Sequence, residues 1–177
     1  MYIDGPNFHY GIKSIRPVYS DLHFDFEKFI KNITGKRKLV DVYYFNAPLK
    51  QQYNKKTYSK QQKMFDRLRS LGYHVILCKR KKRFKGEKET HIIKEDDILL
   101  ALHVLKDAYE DKYETAILVS GDGDFASLPK FIKIKAKNME NYYFEKSVSN
   151  ELIRSCFKST VINKKTANKF FLRNKKH

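Results

Sequence analysis

Residues 117–128 read ILVSGDGDFASL, and they set Asp122 and Asp124 in a glycine-rich turn directly behind an apolar run. Carboxylates at such a place have three chemistries open to them. They can shape a turn and cap the helix that follows. The turn can cradle a phosphate, since GDGDFA has the G-x-G-x-x-A outline of a dinucleotide-binding loop. Or the two acids can belong to a larger carboxylate cluster that holds a cation. The phosphate reading is opposed by two acidic side chains that would face a pyrophosphate, and by the late position of the motif in the chain.

Two further acids make the cluster reading concrete. Asp4 ends a short apolar run in YIDGPN, and Asp97 stands in the first turn of the strongly periodic helix KEDDILLALHVLKDAY (94–109). Asp96 beside it reads as a solvated neighbour or a cap. Four like charges in one cleft repel one another and cost more still when removed from water. A cation would make them tolerable, and hard oxygen ligands select Mg2+ or Mn2+. An ion held that way activates water and stabilises charge developing on a phosphodiester.

The elements that must bring these acids together are legible as alternating strands and helices. YID (2–4), LVDVYYFNAP (39–48), YHVILC (73–78), TAILVS (115–120) and NYYFEK (141–146) read as five strands. The intervening LHFDFEKFIKNI (22–33), YSKQQKMFDRLRSLG (58–72), residues 94–109, FASLPKFIKIK (125–135) and SVSNELIRSCF (147–157) carry apolar residues at helical spacing. GPN after the first strand reads as a turn. The alternation predicts an α/β fold: a central, mostly parallel five-stranded sheet in a three-layer arrangement. Loops at the carboxyl ends of its strands gather on one edge, where Asp4, Asp97, Asp122 and Asp124 would converge. One domain over 1–160 is expected, with a basic tail over 161–177.

Charge points to the partner. The chain has 37 Lys and Arg against 20 Asp and Glu, a formal net charge of +17, which favours a polyanion. The charge is uneven: KRKKRFK (79–85) has six basic residues in seven, the stretch 49–63 is lysine-rich, and the tail from Asn163 has no acid. Twelve Tyr and 13 Phe supply a core and rule against a disordered chain. No apolar run reaches the roughly 18 residues of a membrane helix, and the N-terminus lacks the pattern of a secretory signal. Cys78 and Cys156 stand alone outside any CxxC pair, which fits a reducing, cytoplasmic setting and not structural zinc.

Three blocks, YIDGPNFHYG (2–11), KEDDILLALHVL (94–105) and ILVSGDGDFASL (117–128), resemble the NYN domain of the LabA-like group, a branch of the PIN-like nucleases. The resemblance spans most of residues 1–157. It implies a PIN-like fold, a divalent metal, Mg2+ or Mn2+, and RNA as substrate class. It assigns the metal to Asp4, Asp97, Asp122 and Asp124, places Asn7 near the metal, and makes Ser120 the small hydroxyl residue before the acidic turn. There are departures. Only three residues precede Asp4, where relatives have several; His103 stands at a second, usually acidic, helix position; and the glycine common before the fifth strand is missing.

The function expected is therefore a metal-dependent ribonuclease, endonucleolytic, cutting single-stranded or flexible RNA. Lys79, Arg80, Lys81, Lys82, Arg83, Lys85 and Lys94 are the expected backbone grip, and a homodimer would lengthen the basic surface. The competing expectation is an RNA-binding module with the same fold and no chemistry. The four acids argue against it, because binding RNA gains nothing from them.

Overall fold

The computed structural model describes residues 1–48, 52, 54–79, 81–85, 88–92 and 95–171. Strand β1 (Tyr2–Asp4) is buried along its length and passes straight into helix α1 (Gly5–Ile15). The expected GPN turn is thus the first turn of a helix. Asp4 caps it by accepting the Asn7 N–H, and a proline sits in the first turn, where its missing N–H costs nothing. Gly5 is required there, since a Cβ would stand 2.5 Å from the Phe45 carbonyl oxygen. Helix α2 (Phe26–Thr34) starts four residues later than its apolar spacing suggests, because Asp25 captures the Lys28 N–H and fixes the start.

Then come β2 (Tyr43–Asn46), α3 (Lys55–Ser70) and β3 (His74–Leu77). The basic block forms a hairpin of β4 (Lys81–Lys85) and β5 (Lys88–Ile92), paired with each other and apart from the main sheet. The chain continues through α4 (Glu95–Tyr109), β6 (Thr115–Val119), α5 (Leu128–Lys133), β7 (Asn138–Tyr143), α6 (Asn150–Ser155), β8 (Lys158–Val161) and α7 (Lys164–Ala167). A 3-10 turn over Gly123–Phe125 takes the place of the start expected for α5.

Among the described residues the main sheet has six strands in the order β3-β2-β1-β6-β7-β8, all parallel, one more than expected. The additional strand is β8, four residues between the last expected helix and the basic tail expected from 161. The chain stays on the body beyond it: Ala167 and Phe170 are buried in the core, and Phe171 bridges to Phe24.

Strand alternation divides the core cleanly. Ile3, Tyr44, Ile117 and Val119 face α1, α2 and α3, meeting Phe8, Ile12, Phe29, Ile30 and Phe65. Tyr2, Phe45, Ala116 and Leu118 face the other way, onto Leu100, Val104 and Ala108 of α4 and Leu128 and Ile132 of α5. Helices therefore cover both faces, a three-layer architecture. The winding reverses between β1 and β6, which run side by side although more than a hundred residues separate them. Loops leaving their carboxyl ends diverge there and open a crevice.

Candidate metal centre

Asp4 ends β1 and the SGDGD turn leaves β6, so the reversal of winding itself joins them. Ser120 ties the two strand ends together: its hydroxyl donates to Asp4 Oδ2 at 2.7 Å and accepts the Asp122 N–H at 3.1 Å. Asn7 adds a second tie, its side-chain oxygen accepting the Gly121 N–H at 3.0 Å. Asp122 Oδ1 accepts the Asp124 N–H at 3.0 Å and so closes the 3-10 turn. From outside, the Ser149 N–H donates to the Gly121 carbonyl at 2.9 Å. Gly123 passes Ser149 so closely that a Cβ would lie 3.0 Å from its side chain.

Helix α4 completes the arrangement from the opposite face of the sheet. Its first turn carries Glu95, Asp96 and Asp97. Asp97, Asp122 and Asp124 each offer one carboxylate oxygen, and the three oxygens lie within 4.8 Å of one another. Asp4 is outside that triad and lies against it, 5 % exposed, with both oxygens already accepting hydrogen bonds. Asp96 is 5 % exposed, so it is a buried member of the acidic edge and not the solvated neighbour that its position suggested. The adjacency of Asp96 to Asp97 in sequence was the only signal for it.

The electrostatics follow from this crowding. Burial pushes the Asp97 carboxyl up to about 7, helped by the charges of Asp96, Asp4, Asp122 and Asp124 in that order. Asp4 is pushed up to about 6, again by burial first, although the Asn7 N–H and Ser120 hydroxyl favour its charged form. Among the described residues, no Lys, Arg or His forms an ion pair with Asp4, Asp97, Asp122 or Asp124. An all-carboxylate oxygen set with no internal counter-charge fits a hard divalent cation.

Ser120 is 2 % exposed and its hydroxyl is used on both sides within the protein. It therefore holds Asp4 and the acidic turn together. His103, at the usually acidic position, packs against the rings of Tyr43 and Phe45.

The NYN domain family profile matches residues 1–163. The chain belongs to the NYN domain family. No curated protein matches this NYN domain. Its fold does recur in the crystal structure of a protein of unknown function from Vibrio parahaemolyticus, with a TM-score of 0.74 at 24 % identity over 97 % of this chain and 93 % of that one. The NYN family gives the domain a PIN-like, nuclease-type fold.

The expected nucleic-acid grip is placed in part. Lys79 is exposed where β3 gives way to the hairpin, and its backbone N–H donates to Glu95 Oε2 at 2.7 Å. Lys81, Lys82, Arg83 and Lys85 form β4. Arg80 and Lys94 lie outside the described residues. No helix among the described residues is long and apolar enough to cross a membrane.

Proposed function

We propose that this NYN domain is a metal-dependent endoribonuclease. The observation that carries the proposal is the triad of Asp97, Asp122 and Asp124 oxygens within 4.8 Å of one another, unpaired with any cation among the described residues. These three side chains bind Mg2+ or Mn2+, and Asp4 completes the negative site from beneath. When bound, the ion supplies activation of the attacking water and neutralises charge developing on the phosphodiester. Ser120 and Asn7 act as positioning residues, holding Asp4 and the acidic turn in register through hydrogen bonds that need no substrate. Lys79, Arg80, Lys81, Lys82, Arg83, Lys85 and Lys94 hold the RNA backbone beside the acids.

The test is cleavage of an end-labelled, unstructured RNA with Mn2+ or Mg2+. The expected result is internal cuts by the wild type, slowed about a hundredfold or more in Asp122→Asn. A protein that retards RNA in a gel yet never cuts it with either ion is the non-catalytic RNA-binding module instead.

A further inference from the structure

Helix α4 is apolar on both of its sides. Leu100, Val104 and Ala108 pack onto the sheet, yet Ile98, Leu102 and Tyr109 are each more than half exposed. With the half-buried Leu105 they recur at i, i+4, i+7 and i+11, which is one stripe down the outer face. Helix α5 packs beside α4 and widens the stripe. Phe131 within it and Ile134 directly after it are also more than half exposed, and Lys135 Nζ lies 5.3 Å from the centre of the Tyr109 ring. Helix α3, on the other side of the sheet, instead turns Lys55, Lys56, Lys60 and Lys63 to solvent. A helix that is apolar all round belongs inside a layer. Five large side chains exposed to this degree present an apolar patch on the order of 600 Å2, the size that marks an interaction surface.

The stripe has unlike ends. Both helices run from the carboxyl-terminal edge of the sheet, where α4 begins beside the acidic turn, to its amino-terminal edge, where β7 starts. The first end borders Asp97 and Asp124. The far end is flanked by Lys133 and Lys135, which form no ion pair among the described residues. From Ile98 to Tyr109 the stripe is about 16 Å long, at 1.5 Å per residue. A two-fold axis through its middle sets Ile98 of one copy opposite Tyr109 of the other, so that each lysine end meets an acidic end. Two such patches bury about 1,200 Å2 together, the lower bound of a specific interface.

We infer that the outer face of α4 and α5 is a homodimer interface, occupied by a second copy of this chain in antiparallel register. The pairing brings Lys133 and Lys135 of the second copy to the mouth of the carboxylate crevice, where they add positive charge beside the path of the RNA. That last consequence rests on the ribonuclease reading; the dimer itself does not.

The experiment is sedimentation of the full chain from roughly 1 to 100 μM. It is run at about 0.3 M salt, where mutual repulsion between copies carrying a net charge of +17 is screened. The wild type should reach the mass of two chains within that range. Leu102→Glu and Phe131→Glu should each raise the dissociation constant about a hundredfold, because each places an unpaired charge in the apolar centre. Their melting temperatures, read at low concentration, should match the wild type, since both side chains face solvent in one copy. Val18→Glu, at an equally exposed apolar residue after α1, should leave the mass unchanged. Lys133→Glu with Lys135→Glu should weaken pairing about tenfold. Register is read by cross-linking: under mild oxidation, Ile98→Cys mixed with Tyr109→Cys should form a disulfide dimer faster than either variant alone or the wild type. A wild type that stays monomeric throughout overturns the dimer, as does a dimer left intact by both Leu102→Glu and Phe131→Glu. Ile98→Cys joining itself faster than it joins Tyr109→Cys overturns the antiparallel register. None of these outcomes depends on metal or cleavage, so the dimer and the ribonuclease can fail separately.

Discussion

The two edges of the same sheet treat buried carboxylates in opposite ways. At the amino-terminal edge Asp107 is 3 % exposed, and it is matched: the Lys112 ammonium stands 3.1 Å from Oδ1, and the Tyr2 hydroxyl donates to Oδ2 at 2.8 Å. Those partners line a cavity of about 480 Å3 with Tyr43 and Tyr113. The Asp107 charge in turn raises the Tyr2 phenol, after burial itself. At the carboxyl-terminal edge, Asp4, Asp97, Asp122 and Asp124 crowd together with no ion-pair partner among the described residues, and two of their carboxyls are pushed up. A lone buried acid that serves the fold acquires a cation from the chain. The clustered acids have not, and that absence of internal neutralisation distinguishes a site from a strut.

The comparison is broken most severely by removing one charge from the unmatched edge. Asp122→Asn should reduce cleavage about a hundredfold or more, the scale of losing a metal's several kcal/mol of transition-state stabilisation. Its side-chain oxygen can still accept the Asp124 N–H, so the melting temperature without metal should hold or rise. A large fall in that temperature would make Asp122 a structural cap. The matched edge should behave inversely. Asp107→Ala leaves the Tyr2 hydroxyl without its acceptor and takes from Lys112 one of its two carboxylate partners, and should cost about 2 kcal/mol in urea unfolding, with cleavage by the folded protein unchanged. Loss of cleavage without loss of stability would place Asp107 in the chemistry.

Ser120→Ala sharpens the contrast further. It removes a hydrogen bond that favours ionised Asp4, so Mn2+ affinity should fall about tenfold, with a stability loss of about 1 kcal/mol from the two buried bonds. The smallest expected effect concerns pH. Asp4 and Asp97 hold protons to about 6 and 7 in the fold, against about 3.9 for an unfolded aspartate. The fold therefore binds more protons than the unfolded chain across this window, and stability from these groups is lost as pH rises from 4 to 7. Without metal, Asp97→Asn should gain on the wild type in melting temperature over that range. Saturating Mn2+ should close the gap above pH 7. A gap that narrows with pH in metal-free protein would mean the Asp97 charge is matched after all.

Much of this edge was legible in the sequence. Asp97, Asp122 and Asp124 were found because strand–helix alternation predicts which loops share an edge, and the choice of Asp97 over Asp96 agrees with the triad. The burial of Asp96 was not legible, since one residue's rotation around a helix decides which acid faces the crevice. Helix α1 was missed because Gly5 and Pro6 read as turn signals. Here they serve a helix start, with glycine demanded by the Phe45 carbonyl, a contact forty residues away. Strand β8 was missed because KSTV is short and has a single apolar residue, and the segment after it read as tail although Ile162, Ala167 and Phe170 pack into the core. The hairpin showed itself in the sequence only as charge.

The central claim is that these acids are gathered for an ion. Titration of Mn2+ into the protein at pH 7.5, followed calorimetrically, tests it directly against a variant with Asp97→Asn, Asp122→Asn and Asp124→Asn together. Saturable binding at one principal site in the wild type, and none in the triple variant, is the predicted result. Equal binding by both proteins, or no binding by a folded wild type, would contradict the account.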